Sequence, residues 1–133
     1  MSTRAVYSFY GNNEAHHVYK HYDGYPKGGV KYLHNARSYA FDFPRYESGD
    51  FAAAFVAANK VKGGDVQLVN GNFEPPEVHS DCEFWYKIFY KKAGLFLEIF
   101  SVDWCTPGEQ KNKLVFEGLL DDALVEFPSV KYA

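Results

Sequence analysis

Cysteine is scarce in this chain: Cys82 and Cys105 are the only two among 133 residues, and they form no CxxC pair. That argues against a structural zinc site and against a small disulfide scaffold. Long apolar runs are missing as well. No stretch approaches the roughly 18 residues of a spanning helix, so no membrane contact is expected. Met1-Ser2-Thr3-Arg4 leads straight into an alternating pattern, without the apolar segment of a secretory leader. A cytoplasmic protein with reduced thiols is the expectation. No basic stripe is present, and the net charge is −3, which disfavours a nucleic-acid backbone as partner. Phosphate loops, nucleophile elbows and HExxH zinc motifs are also absent.

What the chain has in excess is aromatic residues: eleven Tyr, twelve Phe and two Trp, or 19% of the sequence. With 47% hydrophobic residues it can bury roughly two thirds of its unfolded surface without disulfides or metals. Residues 1–133 are read as a single domain. The aromatics fit a sheet-rich core, or alternatively a stacking or partner surface.

The periodicities give an order of elements. Thr3 to Tyr10 alternates as a strand, Gly11-Asn12-Asn13-Glu14 turns, and His16 to Tyr22 pairs back as a hairpin. Asp23-Gly24-Tyr25-Pro26 stops that strand. Asp23 reads as a helix N-cap and Gly24 as a turn residue of positive φ. Val30, Leu33 and Arg37 predict a helix from Pro26 to about Tyr39. Ser48-Gly49-Asp50 predicts the cap of a second, alanine-rich helix from Phe51 to about Asn59. Strands are expected at Val66–Asn70, Cys82–Lys91, Leu95 to about Trp104 and Lys113–Glu117, a loop holding Pro75, Pro76 and His79 at Gly71–Ser80, and a short terminal helix at Leu119–Phe127.

The expected fold is α+β: an antiparallel sheet of about five to six strands with two helices packed on one face, in the order ββααβββ plus a short terminal helix. Both sheet faces carry aromatics, so a homodimer is one way to cover the second face. In the long hairpin a two-residue Ala93-Gly94 loop would put Glu98 opposite Phe89 and diagonal to Lys87 and Lys91. The same register would set Cys82 opposite Cys105, at a separation of about 5.5 Å that admits a disulfide.

The densest polar group surrounds the second strand and the following turn: Arg4, His17, Tyr19, His21, Asp23, Gly24, Tyr25 and Gly28. Helix N–H groups at Pro26 to Gly29, with Arg4 and His21 supplying charge and a tyrosine stacking, would suit a small anionic, nucleotide-like ligand. The structural alternative is that Asp23 caps, Arg4 pairs with it and His21 is a satisfied histidine. His17, His21 and Asp23 could in principle ligate a metal, but a strand separates His17 from His21 by about 13 Å, so no metal and no cofactor is expected. Cys105 is read as a small buried thiol rather than a nucleophile, and no catalytic residue is assigned.

Thr3-Arg4-Ala5-Val6-Tyr7-Ser8-Phe9 and His21-Tyr22-Asp23-Gly24-Tyr25-Pro26, together with Phe51–Lys60, resemble a family of small uncharacterised phage, prophage and bacterial proteins. Those share a TRAxYxF start and an HxDGYP segment. The resemblance spans about the first seventy residues. It implies a phage or mobile-element setting, hence the host cytoplasm, and a binding role that includes accessory or anti-defence factors acting on a host protein. The expected function is therefore a non-enzymatic binding protein for a host protein or a small anionic ligand. The alternative is a small enzyme acting on a nucleotide or phosphoester, with His21 as acid/base and Arg4 on charge.

Overall fold

A computed structural model describes residues 3–69, 82–91, 94–106 and 109–128, with backbone alone at 104–106 and 109–111. The alternation of Ala5, Tyr7 and Phe9 with Val6, Ser8 and Tyr10 folds as β1 (Ala5–Gly11), and the chain returns as β2 (Glu14–Lys20). Asn13 closes this hairpin in the left-handed region at φ 55°, which asparagine tolerates better than most residues. Two helices follow, α1 (Pro26–Ala36), extended by a 3-10 turn at Arg37–Tyr39, and α2 (Ser48–Asn59). A short strand, β3 (Val66–Leu68), precedes β4 (Phe84–Lys91), β5 (Gly94–Thr106) and β6 (Glu109–Leu119), and α3 (Leu120–Glu126) comes last. The expected loop at 71–80, with Pro75, Pro76 and His79, lies outside the described residues. Among the described residues no helix is long and apolar enough to cross a membrane.

The six strands form one sheet in the order β3-β2-β1-β4-β5-β6. The α+β expectation holds, with corrections. The order ββααβββ is one strand short. At the sheet centre β1 and β4 run parallel, from Ala5 beside Phe84 to Phe9 beside Ile88, so the sheet is mixed rather than antiparallel. Parallel neighbours need a long crossover, which β2, both helices and β3 supply here. Three helices rather than two pack on one face. Ala5, Tyr7, Phe9, Ile88, Leu97 and Ile99 of the sheet share a core with Val30 and Leu33 of α1, Phe51 and Phe55 of α2, and Leu120 and Ala123 of α3.

The β4–β5 register also departs from expectation. The hairpin closes from Lys91 to Gly94, so Glu98 faces Lys87 directly and Phe89 faces Phe96. Val102 donates its N–H to the Glu83 carbonyl at 2.8 Å, and Cys82 and Cys105 therefore do not face each other across the ladder. The buried Cys82 thiol donates instead to the Phe84 carbonyl at 2.8 Å.

Neither expected cap forms. Tyr25 and Glu47 occupy the N-cap positions of α1 and α2, and neither makes a side-chain cap bond. Two further features lock the helix layer to the sheet. Lys20 points into the core and pairs with Asp65 at 2.6 Å, each 2% exposed, with its ammonium 4.4 Å from the Tyr32 ring centre. Tyr7 and Tyr86 stack at 4.3 Å, fully buried. Their hydroxyls donate to the carbonyls of Gly29 at 2.9 Å and Gly24 at 2.6 Å. Glycine is required at both places. A side chain at position 29 would collide with both hydroxyls, and one at 24 would sit 2.6 Å from the Ala5 Cβ.

Candidate functional site

Because β1 and β4 are parallel, both end side by side, at Gly11 and Lys91, and the first turn of α2 lies over those ends. A cavity of about 420 Å³ opens there. The carboxyl ends of parallel strands are the usual position for a ligand crevice in sheets carrying helices, and this volume is within the range of small-molecule sites.

Its walls are aromatic. Tyr10 and Phe89 stack with ring centres 4.9 Å apart, 10° from parallel, and Tyr46 and Tyr90 stack at 5.3 Å and 6°. All four line the cavity. Tyr46 is anchored by its hydroxyl, which donates to the Tyr10 carbonyl at 3.2 Å, and burial pushes its pKa up to about 12. The Tyr90 hydroxyl is buried and has no hydrogen-bond partner among the described residues.

The charged lining consists of two carboxylates and one lysine. Glu14, placed by the tight β1–β2 turn, accepts a 2.6 Å hydrogen bond from Ser48 at the start of α2. Ser48 is 1% exposed, and it reaches this position because residue 11 is glycine: a Cβ there would lie 2.6 Å from its hydroxyl. The Ser48 hydrogen bond, aided by His16 with its Nε2 3.5 Å from the carboxylate, holds the Glu14 pKa below the ordinary carboxylate range. Glu47 also lines the cavity and is clamped by Arg45 at 2.8 and 3.0 Å. Lys91 stands at the rim, its ammonium 4.6 Å from the Phe96 ring centre. The arrangement can stack a planar group and accept hydrogen bonds from it.

The residues singled out from sequence are divided among four places. His17 sits on the sheet face opposite the helices, with Nδ1 2.7 Å from the Ser8 hydroxyl, which also accepts the Trp85 indole N–H at 2.8 Å. Tyr19 and His21 are brought together, hydroxyl to Nδ1 at 2.8 Å. Asp23, Gly24 and Tyr25 form the turn into α1, and Gly28 lies in its first helical turn. There it is Asp23, not Gly24, that adopts positive φ, at 57°, and its carboxylate accepts from Tyr32 at 3.3 Å. Gly24 is buried, with its N–H on the Thr3 carbonyl at 2.8 Å. The Gly28 and Gly29 N–H groups both go to the Tyr25 carbonyl, at 3.0 and 2.7 Å, and Pro26 has none. The donor set expected from Pro26 to Gly29 is thus reduced to Lys27. The Arg4 carbonyl accepts from Glu83 and Phe84 and so seats the start of β4.

The sequence does not mark Glu14, Tyr46, Ser48 and Tyr90 as site residues, because no local spacing joins them. The one signal was the aromatic surplus itself. Among the described residues no group of three or more His, Cys, Asp or Glu is placed to hold a metal ion, and the Cys105 side chain lies outside the described residues. No protein-family model, curated protein or solved structure matches this chain.

Proposed function

We propose that this chain is a non-enzymatic binding protein whose ligand is a small planar molecule carrying hydrogen-bond donors, of the nucleobase or heteroaromatic-amine type, held in the cavity at the ends of β1 and β4. The observation that carries this reading is the pairing of two parallel aromatic stacks with the carboxylates of Glu14 and Glu47 in one 420 Å³ cavity. With Glu47 paired to Arg45 and Glu14 balanced by Lys91 at the rim, the site carries no net positive charge, which favours a neutral ligand over an anion. In the phage-type setting implied by the amino-terminal resemblance, such capture would suit an accessory or anti-defence factor that sequesters a small signal.

The test is a thermal-shift and calorimetry panel of nucleobases, nucleosides, nucleotides and heteroaromatic amines. A ligand at a hundred times its Kd adds about 2.7 kcal/mol of stability. Binding lost in Tyr46→Ala and weakened in Glu14→Gln supports the cavity. Nucleotides that bind where their nucleosides do not would move the site to the Arg4, Tyr19, His21 and Asp23 end of the sheet, and no response to any compound would overturn the small-ligand reading. The rival, a small enzyme acting on a nucleotide or phosphoester through His21 and Arg4, is favoured by one observation: the Tyr19 hydroxyl fixes the orientation of the His21 imidazole. Turnover in the same panel, abolished by His21→Ala, would support it.

A further inference from the structure

The strand registers sort the sheet face away from the helices into rows. Across its middle run His17, Ser8, Lys87, Glu98 and Glu117, each directly facing the next on the neighbouring strand. One flanking row is Tyr19, Val6, Trp85, Phe100 and Leu114. Its first three members are at most 7% exposed, packed with Cys82 and Val69. The other flanking row, Tyr10, Phe89, Phe96 and Leu119, is only half-buried, and Leu119 is 42% exposed. On β2, β1 and β4 one half of this face is therefore covered within the chain, and the other half presents an aromatic row beside a charged one.

The charged row is unbalanced. Glu98 and Glu117 face each other across β5 and β6, and like charges directly opposite are destabilising. The cation on this row beside them is Lys87, opposite Glu98, its ammonium 4.9 Å from the Trp85 ring centre and 5.6 Å from that of Tyr10.

We propose that this half-face is the interface with a second copy of the chain, about a two-fold axis parallel to the strands along the β4–β5 seam. Rotation about that axis lays β4 of each copy over β5 of the other. Lys87 then meets Glu98 of the partner subunit and stands next to the partner subunit's Glu117. Phe89 meets the partner subunit's Phe96, and Tyr10 meets the partner subunit's Leu119. Every contact occurs twice, as an isologous interface requires, and the strands of the two sheets stay aligned as in a face-to-face sandwich. A polyanion is the poorer occupant, because phosphates would be laid against Glu98 and Glu117. Half a sheet face lies at the small end of specific interfaces, so the dimer is in concentration-dependent exchange with monomer.

Sedimentation equilibrium over about 1 µM to 1 mM measures this directly. Wild type is expected to dimerise in that range and more weakly as salt is raised. Lys87→Glu alone and Glu98→Lys alone are each expected to weaken the dimer at least about tenfold, by setting like charges face to face. A mixture of those two variants is expected to associate about as well as wild type. In the mixed dimer one copy is acidic at both positions and the other basic at both, so each contact again joins opposite charges. Leu119→Arg, at an exposed position, disrupts the aromatic row and serves if a charge variant fails to fold, with circular dichroism as the check. A chain that stays monomeric to 1 mM, a dimer indifferent to Lys87→Glu and Leu119→Arg, or a charge-swapped mixture that does not associate would each overturn the proposal. Tyr10 and Phe89 are shared with the cavity lining, whereas Lys87, Glu98 and Leu119 lie outside it, so these variants test the dimer without replacing a side chain that lines the cavity.

Discussion

Removing the Asp65 carboxylate should be the most damaging single change to a polar side chain among the described residues. Lys20 and Asp65 are each 2% exposed and 2.6 Å apart. Once Asp65 is alanine, the Lys20 ammonium, 2% exposed, is left with the rings of Tyr32 and Tyr22, 4.4 and 6.0 Å away. Breaking a buried pair in this way costs about 3–5 kcal/mol, about a fifth or more of the roughly 5–15 kcal/mol that holds a domain together. For a chain of this size the melting temperature should fall by about 10–20 °C. Urea unfolding should show a lower midpoint with an unchanged m-value, because the surface exposed on unfolding is nearly the same. The double change Lys20→Met, Asp65→Leu removes both charges and should be neutral or stabilising by about 1–4 kcal/mol. An Asp65→Ala protein within about 1 kcal/mol of wild type would refute the reasoning, since it would mean that water reaches the lysine.

Other expectations follow from contacts already described. Tyr86→Phe strips the Gly24 carbonyl of its 2.6 Å donor and should cost about 1–3 kcal/mol by urea unfolding. Burial raises the pKa of Tyr7 and Tyr86 well above the ordinary phenol value. Their contribution to stability is therefore intact below the unfolded value of about 10 and lost as pH climbs above it; unfolding measured from pH 9 to 11 should show a steep alkaline limb that flattens in Tyr7→Phe/Tyr86→Phe. Gly24→Ala drives a Cβ against Ala5 and the Thr3 carbonyl and should cost about 1–3 kcal/mol, whereas Gly63→Ala meets nothing within 4 Å and should be close to neutral in the same melts. Ser48→Ala should return the Glu14 pKa towards its ordinary value, read by carbon-detected NMR titration. The depressed carboxyl stabilises above its unfolded pKa, and that contribution fades as pH falls through the folded one.

The elements were legible because alternation and helical spacing are local. Every strand and helix expected in the described segments formed within a few residues. Pairing was not legible in the same way. β1 alternates identically whether its neighbour is parallel or antiparallel, so the Ala5–Phe84 partnership left no local trace. In the β4–β5 hairpin the expected and observed registers differ by two positions, and an even slip keeps each side chain on its own face; the hydrophobic pattern cannot separate them. The observed register sets Lys87 directly opposite Glu98 rather than diagonal to it. At the proposed site, Glu14 and Ser48 are joined only by the fold, and Ser48, read as a cap for its own helix, instead donates to a carboxylate from β2. The HxDGYP stretch was conspicuous for the opposite reason. Its glycine is needed where Gly24 packs on Ala5 and gives its carbonyl to the buried Tyr86 hydroxyl, so its distinctive composition reflects packing around Gly24.

The parallel seam between β1 and β4 has a consequence for how the chain is assembled. It divides the sheet into two meanders that are each antiparallel within themselves: β3-β2-β1 with α1 and α2, and β4-β5-β6 with α3. On the ribosome the first half emerges complete while the inner edge of β1 still awaits β4, so an unpaired central strand carrying Tyr7 and Phe9 persists until residues 84–91 arrive. Closing that seam pairs residues about 79 positions apart, from Ala5 with Phe84 to Phe9 with Ile88, and sequence separation of this kind slows folding. The same division marks a place to cut: fragments ending before and beginning after residues 70–81 would each carry one half of the Tyr7–Tyr86 stack, and their reassociation would report on the seam alone.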